Sequence, residues 1–238
     1  PIQLPIMEKG AFVGYVDIVH MTARRFDGKG EKEMPIPDGL ADRAQELYEQ
    51  LTEAAAESDE ALMEKFFEEG ELSRDEILKG LSQGVLDGVV TPVCCCAAAP
   101  NIGVTTLMDN LIHYMPAANQ VAAPAAVNPK NGEAVQVGQD GKFAGQVIKT
   151  VIDQFGKYSI IKVYRGTLSV DTPLYNTNQE KNEKGTAPGL MRGKKVTPMD
   201  KLIAGDIGAL SKLQYTATGD TLCDPSDPVQ FAAIEFPK

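Results

Sequence analysis

Lys142-Phe143-Ala144-Gly145-Gln146-Val147-Ile148-Lys149-Thr150-Val151-Ile152-Asp153-Gln154-Phe155-Gly156-Lys157-Tyr158-Ser159-Ile160-Ile161-Lys162-Val163-Tyr164-Arg165 holds two β-rich runs, Lys142 to Asp153 and Lys157 to Arg165. Phe155-Gly156 between them is a turn signal, so the stretch reads as a hairpin. Shorter strands are predicted at Thr172 to Asn176, Gly189 to Arg192, Ile207 to Leu213 and Gln230 to Phe236. Asn131-Gly132, Asp140-Gly141, Gly166-Thr167, Gly205-Asp206 and Gly219-Asp220 punctuate them. Many short strands between turn signals predict a small closed barrel or sandwich over residues 131–238. The alanine- and proline-rich stretch 119–130 reads as a linker.

Upstream of the linker the pattern is mixed, which predicts an α+β or α/β module over residues 1–118. Gln3-Leu4-Pro5-Ile6 and Phe12 to Met21 read as strands, and Phe26 to Pro37, with its glycines, prolines and charges, as an exposed loop. Asp38 is placed as an N-cap, and Leu40, Ala44, Leu47, Leu51 and Ala55 give the following helix one buried stripe. A second helix runs from Ser58-Asp59-Glu60 through Leu62, Met63, Phe66 and Phe67 to Gly70. Ser73-x-x-Glu76 is a capping box that opens a third, with Ile77, Leu78 and Leu81 inside. Val89 to Cys96 has the length and composition of a buried parallel strand. A helix from Thr105 to Tyr114 follows, with Leu107, Leu111 and Tyr114 near one face, before Pro116 stops it. Strand, loop and helix make half a βαβ unit, which predicts that the piece closes a sheet begun upstream.

The 238 residues carry a formal charge of −10, unevenly spread. Residues 1–118 hold 9 basic and 21 acidic side chains, and residues 119–238 hold 14 and 12. The first half is thus disfavoured for sequence-independent nucleic-acid binding, while the second can still carry a basic patch. No apolar run approaches the roughly 20 residues of a membrane helix. Pro1 follows no initiator Met, so the chain is expected to begin inside a longer protein or after processing. Cys94-Cys95-Cys96 has neither disulfide geometry nor the spacing of a zinc site, which points to free thiols in a reducing compartment.

No catalytic constellation is legible. His20 and His113 stand far apart, and there is neither a nucleophile elbow nor an H-E-x-x-H run. Gly156-Lys157 lacks the upstream glycine of a phosphate loop, and Gly28-x-Gly30 meets Glu33 where a dinucleotide fingerprint needs its third glycine. Neither a catalytic residue nor a metal site is assigned. Glu46, Glu49, Glu53, Glu57, Glu60 and Glu64 recur at helical spacing, which fits either a solvated face or a docking surface for a basic partner. Arg192, Lys194 and Lys195 around Gly193, with Lys181 and Lys184 upstream, fit either a solvated hairpin or contact with an RNA backbone.

Gln3-Leu4-Pro5-Ile6, Phe12-x-Gly14-x-x-Asp17-Ile18-Val19, the run Ala54 to Lys65 and Gly70-Glu71-Leu72-Ser73 resemble the G′ insertion of bacterial elongation factor G. Thr91-Pro92-Val93-Cys94-Cys95-Cys96-Ala97-Ala98-Ala99, Asn101-x-Gly103-Val104 and Leu107-x-Asp109-x-x-x-x-Tyr114-x-Pro116 resemble the last strand and helix of its GTPase domain. Phe155-Gly156-Lys157, Val163 to Leu168, Leu174-Tyr175-Asn176, Ala204-Gly205-Asp206-Ile207-Gly208-Ala209 and Thr218-Gly219-Asp220-Thr221-Leu222 are similar to its β-barrel, domain II.

The resemblance implies the middle of a longer cytoplasmic GTPase that acts on the ribosome in elongation or a paralogous role, the barrel being of translation-factor type. It implies GTP or GDP and Mg in the intact parent, with the phosphate loop, switches and Asn-Lys-x-Asp motif lying upstream. This piece is therefore expected neither to bind nor to hydrolyse GTP. Ala97, Ala98 and Ala99 would be the remnant of the guanine motif, where the family's serine is missing. Arg192, Lys194 and Lys195 would contact ribosomal RNA, and Glu49, Glu53 and Glu57 a ribosomal stalk protein; no membrane or DNA partner is implied. Gly189-Leu190-Met191-Arg192-Gly193-Lys194-Lys195 departs from the family's usual stretch and is closer to its elongation-factor-G-like paralogs. The competing readings are a ribosomal protection protein of the same superfamily and a non-enzymatic RNA-binding adaptor.

Overall fold

The computed structural model describes residues 1–28, 30–153 and 156–235. Two compact units are present, Pro1–Ala117 and Ala118–Lys238.

In the first unit β1 (Gln3–Glu8), β2 (Ala11–Asp17), β3 (Thr22–Phe26) and β4 (Glu31–Met34) form an antiparallel meander in chain order. The strand expected from Phe12 to Met21 ends at Asp17, because the Asp17 carboxylate accepts from the His20 amide at 3.0 Å and folds the chain into a turn. The stretch expected as a loop from Phe26 carries β4, whose Glu33 pairs with Arg24 and whose Lys32 pairs with Arg25. Arg24, opposite Glu33 and 3.6 Å from Glu31, offsets the like-charge pair Arg25–Lys32 in a strand that apolar alternation cannot reveal.

Three helices lie against this sheet: α1 (Asp38–Ala56), α2 (Glu60–Glu69) and α3 (Arg74–Leu86). Asp38 is the first helical residue and Pro37 the cap, without a side-chain bond. Asp59 caps α2 by accepting from Ala61 and Leu62, Gly70 ends it in the left-handed conformation, and Ser73 with Glu76 completes the capping box of α3. Ala44, Leu47, Leu51 and Ala55 meet Ile77 and Leu81 in one core with Ile6, Val16, Ile18 and Val19. At Gly80 a Cβ would fall 2.3 Å from the Ala55 carbonyl oxygen, so α1 and α3 approach as backbones. Phe67, on α2, is 80% exposed.

Val89 to Cys96 is not a strand. Isolated bonds join it to the start of the chain: the Ile2 amide donates to the Val93 oxygen at 3.1 Å, and the Cys95 amide to Gln3 Oε1 at 2.8 Å. A parallel strand needs a backbone ladder on its flanks, and these isolated bonds at the edge of β1 give it no place in the four-stranded antiparallel sheet. The unit is therefore α+β. In α4 (Val104–Tyr114) Tyr114 is buried, but Leu111, expected beside it, is exposed along with Met108 and Ile112.

The second unit is all β. Its main sheet runs β11 (Lys181–Glu183), β10 (Leu174–Asn176), β16 (Thr221–Cys223), β7 (Ala144–Asp153), β8 (Gly156–Arg165), β15 (Ile207–Ser211), β12 (Gly189–Arg192), β13 (Lys195–Pro198). Beside it β9 (Thr167–Ser169) pairs with β14 (Lys201–Ile203). The stretch 119–130 is not a plain linker, since β5 (Ala126–Val127) lies between β6 (Ala134–Val135) and β17 (Gln230–Phe231). Ala126 is buried with Val229 and Phe231, and that burial recruits a composition that otherwise reads as coil. The strand expected to reach Phe236 stops at Phe231; Phe155 and Phe236 lie outside the described residues. Val147, Ile161, Val163, Leu168, Leu210 and Leu222 fill the barrel. No described helix is long and apolar enough to cross a membrane.

Candidate functional site

Ala97, Ala98 and Ala99 form a tight turn rather than the end of a strand. Ala97 and Ile102 exchange backbone bonds of 2.8 and 2.9 Å, and the Asn101 amide donates to the Ala98 oxygen at 3.0 Å. The turn requires two left-handed residues, Asn101 and Gly103. Gly103 begins α4, where a Cβ would meet the Cys95 oxygen at 2.9 Å. The Ala97 amide is thus used internally, whereas those of Ala98 and Ala99 have no acceptor among the described residues.

A polar cluster that the sequence did not reveal lies behind this turn. The Tyr15 hydroxyl, on a side chain 1% exposed, donates to Glu31 Oε2 at 3.0 Å and lies 3.0 Å from Thr106 Oγ1. Thr106 in turn donates to Glu31 Oε1 at 2.7 Å. Burial pushes the Tyr15 phenol up to about 12, so it remains a donor at neutral pH. The cluster ties β2, β4 and α4 together and, with every group supplied by its neighbours, is structural.

Glu46, Glu49, Glu53, Glu57, Glu60 and Glu64 are all exposed. Glu49 accepts from Gln45 at 3.0 Å, Glu46 pairs with Arg43, and Glu53 and Glu57 have no cation within ion-pair distance among the described residues. At the α1–α2 junction, Glu57, Asp59, Glu60 and Glu64 rim a shallow depression floored by Met63 and Phe67.

Arg192 and Lys195 face each other across the β12–β13 hairpin, whose turn places Gly193 at φ +58. These two and Lys194 are exposed, and no described carboxylate pairs with them. Lys181, which sequence places nearby, sits on β11 at the other end of the sheet order.

The barrel's two Gly-Asp turns share one device. Asp206 Oδ2 accepts from the amide of Ile203 at 2.8 Å, and Asp220 Oδ2 from that of Ala217 at 2.9 Å, three residues back in each case. The glycine before each aspartate has positive φ, +98 at Gly205 and +95 at Gly219. Asp220 also accepts from Asn176 at 2.9 Å and Gln179 at 3.3 Å. Glu183 then holds the preceding loop by accepting from the amides of Gln214, Tyr215 and Thr216. These motifs build turns, not a reaction centre.

The turns, their order and the barrel around them have a counterpart among known proteins. A family described as elongation factor G domain 2 matches residues 142–225. Residues 142–225 are an elongation factor G domain 2. A crystal structure of a protein from Thermus thermophilus is similar over 96% of the chain at 25% identity, with a TM-score of 0.77. The chain spans 32% of that protein's length. Elongation factor G domain 2 thus covers the strands from β7 to β16, and the similarity in fold extends through the first unit as well.

Proposed function

We propose that this chain is part of a cytoplasmic translational GTPase that acts on the ribosome in elongation or a paralogous step. The observation that carries this reading is the match of residues 142–225 to elongation factor G domain 2. In this reading the basic tip of β12–β13, Arg192, Lys194 and Lys195, meets ribosomal RNA. Cations beside an exposed glycine can approach phosphates closely, and such contacts weaken steeply with salt. Glu49, Glu53 and Glu57 on α1 meet a basic face of a ribosomal stalk protein. The amides of Ala98 and Ala99 border the guanine position of the longer protein.

GTP and Mg do not fit the residues described. Gly28 and Gly30 lie between β3 and β4 rather than at a helix N-terminus, and among the described residues no group of His, Cys, Asp and Glu side chains is arranged to hold a metal. In this reading the triphosphate is held by polypeptide outside this chain. Neither GTP nor GDP should titrate the chain at about micromolar concentration, roughly −8 kcal/mol; saturable binding in that range would overturn the assignment. Ribosome binding by co-sedimentation tests the rest. Reversing Arg192, Lys194 and Lys195 to Glu should abolish binding at low salt, and unchanged binding would remove the hairpin from the interface.

A further inference from the structure

A cavity of about 410 Å³ in the second unit takes part in none of the contacts above. Its walls are Val137 to Gln139, Lys162 to Tyr164 and Gly205, and residues 118–123 roof it. That volume lies within the range of small-ligand sites, roughly 300–1,000 Å³. The roof sits directly on the barrel: at Gly205 a Cβ would lie 2.8 Å from Ala118 Cβ.

The chemistry inside is one-sided. Among the described residues, Lys162 is the one formally charged side chain that lines the cavity. It is half-buried, with its ammonium 5.1 Å from the Tyr164 ring centroid, and no described carboxylate lies within ion-pair distance. The ring neutralises no charge, so an ammonium held over it keeps its capacity for an anion. Tyr164 is also half-buried, its ring against Phe231, and its hydroxyl has no hydrogen-bond partner among the described residues. Burial raises its pKa, so the hydroxyl stays a donor. Two donors without acceptors thus share a cavity whose remaining walls are mostly alanine, valine and glycine.

We propose that this cavity binds a small organic anion, a phosphate or carboxylate on a compact apolar body. The anion lies against Lys162 and Tyr164, and the body against Ala122, Ala123 and Val137. The ligand is organic, because Lys162 and Tyr164 face only one side of it and the alanine and valine walls gain contact only from an apolar body.

Phenyl phosphate, benzoate, inorganic phosphate and benzyl alcohol, titrated separately into the full chain and followed by amide chemical shifts, test the proposal. Phenyl phosphate or benzoate should bind saturably, with shifts confined to 118–123, 137–139, 162–164 and 205. Inorganic phosphate and benzyl alcohol should each bind at least about tenfold more weakly, since each supplies half of the recognition. Lys162→Met should lower affinity for the binding anion about tenfold or more. Tyr164→Phe, which keeps the ring and its packing, should lower it about threefold. No saturation by either organic anion up to about 10 mM, roughly −2.7 kcal/mol, would overturn the proposal. So would shifts centred elsewhere, equal binding of inorganic phosphate, or an affinity unmoved by Lys162→Met in a variant whose spectrum remains folded.

Discussion

Glu183→Ala tests whether the barrel depends on a single buried carboxylate. Glu183 is 8% exposed; Oε1 accepts from the Tyr215 amide at 2.7 Å, the Thr216 amide at 2.8 Å and Thr216 Oγ1 at 2.7 Å, while Oε2 accepts from the Gln214 amide at 2.9 Å. Truncation does not strand all four donors equally. Thr216 is 1% exposed, so its amide loses its acceptor with no route to water, at about 1–3 kcal/mol. Gln214 and Tyr215 are exposed residues whose amides water can reach, leaving only the net value of each bond, about 0.5–1.5 kcal/mol. The Thr216 hydroxyl still accepts from Asn176 Nδ2 at 3.1 Å but loses the acceptor for its own proton. The expected loss is therefore about 4 kcal/mol or more, or a midpoint at least about 15 °C lower for a unit of this size. Urea unfolding of the full chain followed by circular dichroism measures it, and hydrogen exchange at the Thr216 amide localises it. Glu183→Gln should lose about half as much, since one side-chain oxygen still accepts. A loss under about 1 kcal/mol for Glu183→Ala, with Thr216 still protected, would refute the reasoning.

The remaining predictions concern the first unit. The Lys65 ammonium, then the Ser73 hydroxyl and amide, hold the Glu76 carboxyl at about 2, below its ordinary 4.5. A depressed folded pKa gives stability that is complete above about 4.5 and is lost as pH falls towards 2, so Glu76→Gln should flatten acid unfolding in that window. Gly80→Ala forces a methyl to within 2.3 Å of the Ala55 carbonyl oxygen and should destabilise by about 1–3 kcal/mol, read by thermal melting, despite alanine's better helix propensity. Ile77→Ala, at a fully buried site, should lose about 2–5 kcal/mol, whereas Ile112→Ser, at a site 77% exposed, should change stability by less than about 0.5 kcal/mol.

Local signals govern what is legible in the sequence. The Ser73–Glu76 capping box, the Gly70 stop and the Ala44–Leu47–Leu51–Ala55 stripe are all satisfied within a few turns of chain, and each is realised in place. Strands whose support is non-local are hidden from such a reading. β4 has charged residues where an alternating apolar pattern would mark a strand, and β5 is made of Ala126 and Val127, which only β17 and β6 define as a strand. Val89–Cys96 is the opposite case, since β propensity produces no strand without a neighbour to receive its hydrogen bonds. The candidate sites divide similarly. Exposure of the α1 glutamates and of the Arg192–Lys195 tip follows from spacing and charge, while the cavity at Lys162 brings together residues from 118 to 205 that no motif connects.

The amino-acid order alone determined the helices, the Ser73–Glu76 capping box, the Gly70 stop, the glycine-aspartate turns and the division of charge between the two halves, because each depends on neighbours a few residues away. Tertiary structure alone decided which carboxylates are buried and satisfied, which apolar side chains stay in water, and that residues 118–123 roof Lys162 and Tyr164. Those outcomes depend on what the fold brings alongside a residue from far along the chain, and burial is a property of that surrounding.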